Sequence, residues 1–218
     1  MIFVFDAYGT LFDVHAAVAR HRDAIGPQAE RLSELWRVKQ LEYTWVRSLM
    51  GAYRDFAALT EEALDFAAAR CGGLVAPVRA DLLAAYRRLD AYSDAAPLLA
   101  ALKAAGERTA ILSNGSPAML EAAVAAAGLA GLLDAVLSVD ALRVYKTDPR
   151  AYALVTQRFG VEPGEIAFQS SNRWDVAGAT RFGFAATWIN RAGAPDEYAD
   201  LPPQRVVRSL AELTPPAR

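Results

Sequence analysis

Apolar positions along this chain follow two rhythms. Ile2, Phe3, Val4 and Phe5 form an unbroken run that ends in Asp6 and a Tyr-Gly-Thr turn. A short run rich in branched and aromatic residues, closed by turn chemistry, predicts a strand over 2–6 buried on both faces. From residue 14 to about 92 the rhythm lengthens to that of helices. Leu32, Leu35, Trp36, Leu41, Trp45 and Leu49 recur at helical spacing. Thr60, followed by Glu61 and Glu62, predicts a helix start, and a further helix fits 79–90. After Asp94 the two rhythms alternate. Helix 95–105 ends at Gly106 and strand 109–112 follows. Ser116-Pro117 opens a helix that runs to near Gly128, and strand 135–139 comes next. Asp148-Pro149 opens helix 149–159, then come strand 166–169, a helix over about 174–182 and strand 185–189. A loop, a short strand and a helical turn close the chain.

Alternating strands and helices predict βαβ units. The expected fold is α/β, a doubly wound, mostly parallel sheet with a helical subdomain inserted after the first strand. The boundaries expected are 1–13 and 93–218 for the α/β domain and 14–92 for the insertion.

Composition narrows the function classes. The chain has 218 residues, 54% of them hydrophobic, enough for a full core. A formal charge of −2 without a basic face argues against nucleic-acid binding. The single cysteine, Cys71, allows no internal disulfide. The least charged stretch, 122–133, is too short to span a membrane. Strand-like sequence begins at residue 2 with no basic run before it, so no signal peptide is expected. The default is a reduced, cytoplasmic protein.

In an open parallel sheet, ligands bind beyond the carboxyl ends of the strands. The expected strands deliver Asp6, then Ser113 and Asn114 ("ILSNGS"), and later Ser170, Ser171, Asn172 and Asp175 ("QSSNRWD"), with Lys146 ("VYKTDP") beyond the third strand. Taken singly, the serines read as turn residues, Asp175 as a helix cap and Lys146 as a solvated charge. Asp6 differs, because a carboxylate ending a buried strand is costly unless paired. Lys146 is one of only three lysines, beside twenty arginines. Lysine supplies a small, tunable ammonium that arginine cannot.

Asp-x-x-Gly-Thr, Ser-Asn, a lysine and an aspartate-bearing loop, in that order, resemble the haloacid dehalogenase superfamily, with 14–92 where that superfamily carries its cap. Two departures from its magnesium-dependent phosphatases stand out. Tyr8 replaces their general acid, and Ser170-Ser171 replaces Gly-Asp, which bears a metal ligand. Segments such as "DAYGTLFDVH", "LWRVKQLEYTWVRSLM" and "SSNRWDVAGA" are instead similar to the L-2-haloacid dehalogenases. Thr147, where a proline commonly follows the lysine, and Gln169, in a usually apolar strand, are small departures from them.

That resemblance implies hydrolysis of a small L-2-halo acid to a D-2-hydroxy acid and a halide ion, with no metal and no cofactor. It implies that Asp6 attacks C2 to form an ester that water then opens. Lys146 keeps Asp6 ionised, Thr10 bonds near it, and Asp175 with Ser170 and Asn172 handles the water. Ser113 and Asn114 receive the substrate carboxylate, and Arg37 with Asn114 meets the leaving halide. Tyr8, Leu41, Phe56 and Trp174 form an apolar wall, and Tyr152 supports the lysine or the nucleophile. Spacing alone reads Arg37 as a surface charge and Leu41 and Phe56 as core. The resemblance also implies a homodimer, to which Trp45, Leu49 and Met50 are candidates. The alternatives are a phosphatase of the same fold and a catalytically silent binding protein.

Overall fold

The structure is a computed structural model, which describes residues 1–215. Its sheet is built from β1 (Ile2–Phe5), β2 (Arg108–Ser113), β3 (Ala135–Ser138), β4 (Ile166–Ser170), β5 (Ala185–Ile189) and β6 (Arg205–Val207). The strand order is β3-β2-β1-β4-β5-β6, and every neighbouring pair is parallel. β1 is flanked by β2 and β4, so chain connections diverge on its two sides. In such sheets the crevice opens at this reversal, beyond the strand ends.

Four helices flank the sheet: α6 (Ala95–Ala104), α7 (Pro117–Ala126), α8 (Pro149–Phe159) and α9 (Arg173–Phe182). Their starts follow local chemistry. Asp148 caps α8 by accepting from Arg150 N, with Pro149 in the first turn. Ser116 stands at the start of α7, but its side chain makes no capping bond.

Between β1 and α6 lie five helices: α1 (Ala16–Arg20), α2 (Arg22–Ile25), α3 (Ala29–Leu49), α4 (Phe56–Arg70) and α5 (Ala76–Tyr86). This insertion leaves and rejoins the sheet domain through two segments lying side by side. Asp13 N donates to Asp90 O and Tyr92 N to Leu11 O, both at 2.9 Å. Phe12 and Ala91 form an antiparallel bridge between them.

Three sequence expectations change. Thr60 caps nothing: α4 begins a turn earlier, capped by Asp55, which accepts from Ala58 N. Thr60 is buried within the helix and donates to Phe56 O. The helix placed at 79–90 lies at Ala76–Tyr86, because Pro77 fits its first turn. On α3 the buried stripe is Leu32, Trp36, Gln40 and Thr44, at four-residue spacing, while Leu41 and Trp45 are half-buried. Leu49, the last residue of α3, is 88% exposed, and Met50 after it is exposed too.

Gln169 is buried in β4. With its side-chain nitrogen turned toward the strands, it donates to Val4 O at 3.0 Å and Ala167 O at 3.1 Å. A buried amide is tolerated once its hydrogen bonds are made.

Candidate active site

Asp6 lies one residue beyond β1, and its amide still bonds Gln169 O at 2.9 Å. The chain then folds back on itself, with Leu11 N and Phe12 N both donating to Ala7 O. Gly9 at φ +92° makes this loop possible, since that conformation strains any residue with a side chain. The loop returns Thr10 to Asp6 and sends Tyr8 toward the inserted helices.

Three charged groups meet beneath the crevice. Lys146 Nζ lies 3.1 Å from Asp6 Oδ1 and 2.8 Å from Asp175 Oδ2. All three are buried. The loop before α8 carries the lysine, and its backbone amide is held by Asn114 Oδ1 at 3.0 Å. The Lys146–Thr147 peptide is cis. Burial would pull the Lys146 ammonium down, but Asp175 and Asp6 outweigh it and the net direction is up. Burial drives the Asp175 carboxyl up to about 6. Lys146 opposes this, and the negative charge of Asp6 adds to it.

Neutral donors complete the cluster. Asp6 Oδ2 accepts from Asn172 Nδ2 at 2.7 Å and from Thr10 Oγ1 at 3.1 Å, and Ser170 Oγ stands at 3.5 Å. Asn172 is the N-cap of α9, which also sets Asp175 in the first turn, where helix geometry favours negative charge. Thr10 accepts from Ser171 N at 2.8 Å, locking the two loops together.

Arg37 reaches this cluster from α3. Its Nη2 donates to Tyr8 O at 3.1 Å and to Asn172 Oδ1 at 3.2 Å. With Arg37, the two carboxylates face two cations. Tyr8 stacks on Tyr86, with centroids 5.7 Å apart and planes at 12°, and tilts against Phe56 at 5.6 Å. Burial pushes the Tyr8 phenol far above its ordinary range, so it stays neutral.

Asp6, Thr10, Lys146, Ser170, Asn172 and Asp175 thus converge, with Arg37, Asn114, Tyr8 and Phe56 around them. Of the other expected residues, only Tyr152 bonds a member of this cluster. Ser113 Oγ is buried and accepts from Gly115 N at 3.1 Å, a turn contact. Leu41, one helical turn beyond Arg37, makes no polar contact to the cluster. Trp174 sits edge-on to Trp45 at 5.4 Å and, with Thr147 and Phe182, lines a groove of about 670 Å³. Tyr152 bonds neither the lysine nor the nucleophile. Its hydroxyl donates to Asp175 Oδ1 at 2.8 Å, because α8 packs against α9 and points the phenol at that helix. Gly178 leaves room for this phenol: a Cβ there would strike the Tyr152 hydroxyl and the Thr147 side chain.

Sequence reasoning missed Gln40 and Tyr86 and read Thr60 only as a helix start. Gln40 Oε1 accepts from Arg37 Nη1 at 2.8 Å and from the Tyr86 hydroxyl at 3.1 Å. The signal was an amide on the stripe of Leu32 and Trp36, where an apolar residue is expected.

The arrangement offers a buried carboxylate beside an ammonium, a second carboxylate of raised pKa, and a cation at the mouth. It suits nucleophilic displacement followed by hydrolysis. A family model described as haloacid dehalogenase-like hydrolase matches residues 1–183. The chain is 51% identical to (S)-2-haloacid dehalogenase 4A of Burkholderia cepacia, covering 97% of this chain and 92% of that one. It is 52% identical to (S)-2-haloacid dehalogenase 1 of Pseudomonas sp. (strain CBS-3), covering 96% and 93%. A crystal structure of a dehalogenase with an intermediate complex superposes with a TM-score of 0.94 at 51% identity, covering 97% of this chain and 94% of that one.

Proposed function

The chain belongs to the haloacid dehalogenase-like hydrolase family, and we propose from that membership that it is an (S)-2-haloacid dehalogenase. It converts L-2-haloalkanoic acids to D-2-hydroxy acids through an ester on a carboxylate, with inversion at C2. The observation that carries this is the buried Asp6, held by Lys146 on one oxygen and by Asn172 and Thr10 on the other.

In the first step a carboxylate oxygen of Asp6 attacks C2 from behind. The carbon–halogen bond breaks and the halide leaves with its electron pair. Arg37 meets the departing charge, and Asn114 shares that task while facing the substrate carboxylate with Ser113. Charge developing in a dry site is stabilised strongly by donors already in place. In the second step water adds to the ester carbonyl carbon of Asp6. Asp175 accepts a proton from the water and passes it to the C2-borne oxygen as that oxygen's bond to the carbonyl carbon breaks, freeing the hydroxy acid and restoring the Asp6 carboxylate. Asp175 keeps acceptor capacity for this proton: a carboxylate offers about four acceptor positions, and Lys146 and Tyr152 occupy one on each oxygen. Inversion occurs once, so L substrate gives D product. Tyr8, Phe56, Leu41 and Trp174 supply the apolar wall. Tyr152 acts through Asp175.

No step requires a metal. The serines at 170 and 171 leave Asp175 as the carboxylate of this loop, and it is already bonded to an ammonium and a phenol. The test is halide release from L-2-chloropropionate in the presence of a chelator, by wild type and Asp6→Asn. Release that persists in chelator and disappears in the variant is expected. Loss of all turnover in chelator would sink the reading, as would undiminished release by Asp6→Asn.

The cap is residues 14–92 and the catalytic domain 1–13 and 93–218, a division supported by the paired entry and exit segments. The functional unit is a cytoplasmic homodimer. Val46 (48% exposed), Leu49 (88%) and Met50 (59%) on and just beyond α3, with half-buried Trp45, support a shared apolar face. Among the described residues no helix is long and apolar enough to cross a membrane.

A further inference from the structure

We propose that Gln40 is the positioning residue for Arg37, fixing where that cation meets the departing halide. The inference rests on the dehalogenase reading and adds to it a residue outside the reacting cluster.

Gln40 is 1% exposed, on the buried stripe of α3. An amide there is costly unless its bonds are made, and both its oxygen and its nitrogen are bonded. Oε1 accepts from Arg37 Nη1 and from the Tyr86 hydroxyl, and Nε2 donates to Thr60 Oγ1 at 2.7 Å. The Thr60 hydroxyl gives its proton to Phe56 O at 2.7 Å, so toward Gln40 it can only accept. That fixes the amide: nitrogen toward Thr60, oxygen toward Arg37. Trp36 Nε1 donates to Thr60 O at 2.8 Å and ties α3 to α4 at the same place. Tyr86 brings in α5.

Arg37 is therefore gripped from two sides. Gln40 holds Nη1 from the cap, while Tyr8 O and Asn172 Oδ1 hold Nη2 from the catalytic loops. The side chain is long, and its value to a leaving anion depends on being in place beforehand. Thr60 and Tyr86 set the amide, and the amide sets the guanidinium.

The test exploits the leaving group. Chloride departs less readily than bromide and needs the cation more. First-turnover halide release is measured for L-2-chloropropionate and L-2-bromopropionate with wild type, Gln40→Met and Tyr86→Phe. Gln40→Met keeps the volume and removes the acceptor. Its chloride release is expected to fall on the order of a hundredfold, with a smaller loss for bromide, so the bromide-to-chloride ratio rises. Tyr86→Phe removes one donor to the same oxygen, and its ratio moves the same way by less. If Gln40→Met does not fold, the ratio in Tyr86→Phe decides alone. Equal losses for both halides mark a merely structural role and overturn the proposal, as does an unchanged ratio. Wild-type protein that releases neither halide overturns the dehalogenase reading as well, whereas wild-type release with an unmoved ratio overturns the role of Gln40 alone.

Discussion

The phenol of Tyr152 donates to Asp175 Oδ1 across 2.8 Å, and neither residue has surface open to water. A buried carboxylate oxygen stripped of its donor costs about 1–3 kcal/mol. Tyr152→Phe is expected to lose stability in that range by denaturant titration. The lost hydrogen bond also lowered the Asp175 pKa. The acid limb of the turnover profile therefore moves to higher pH in the variant. A limb that stays put would refute the coupling of Tyr152 to Asp175.

Lys146 carries both carboxylates. Lys146→Met leaves two buried negative charges facing each other without their shared cation. Breaking a buried ion pair from one side costs about 3–5 kcal/mol. The variant is expected to melt well below wild type and to release no halide. Calorimetry and halide assay check the two outcomes separately. Lys146→Arg is expected to be inactive too, since the planar, bulkier guanidinium does not fit a site shaped for an ammonium.

The pH dependence has a definite sign at both ends. Burial, moderated by Lys146 and reinforced by Asp6, carries the Asp175 carboxyl from 3.8 to about 6. Turnover that needs this group ionised declines as pH falls through about 6. A rate flat well below that value would contradict the role of Asp175. Folding stability behaves differently. Between 3.8 and about 6 the unfolded chain has released the Asp175 proton and the folded one holds it, so this group's contribution shrinks as pH rises. Lys146 is raised above 10.5 when folded. Its contribution is full below 10.5 and is lost as pH climbs through the folded value. The buried phenols of Tyr8, Tyr86 and Tyr152, all raised above 10.0, act in the same sense, because only the unfolded chain ionises there. Denaturation in strong alkali, followed by phenolate absorbance, is expected to be cooperative.

Leu49→Glu tests the shared face. A charge at a position this exposed perturbs an isolated chain little, yet it opposes burial against a second copy. Sedimentation is expected to show dimers for wild type and monomers for the variant. Monomeric wild type would dismiss the homodimer.

Much of this was readable beforehand where one physical rule dominates. Buried parallel strands announce themselves as apolar runs, and the polar residues at their carboxyl ends then converge because the topology leaves them nowhere else. Asp6, Lys146, Asn172 and Asp175 were found in this way. The helical insertion was less legible. Thr60 looked like a cap because acids follow it, but Asp55 competes for that role and wins. Leu41, Trp45 and Leu49 share an apolar spacing with the core stripe, and spacing alone does not say which neighbour covers a face. Gln40 escaped notice because its partners, Thr60 and Tyr86, come from helices whose packing no local pattern states. Tyr152 was seen, but its partner was not, since that depends on how α8 lies against α9.

The side-by-side strands at Asp13–Asp90 and Leu11–Tyr92 make the insertion a detachable module. Its two ends meet at one doorway, so the sheet domain closes around them whether the loop between is long or short. Splicing a tight turn across that doorway would bridge the same gap while removing Arg37, Gln40 and half of the apolar wall. A foreign helical block joined at the same doorway would bring its own side chains to the crevice in place of Arg37 and Gln40.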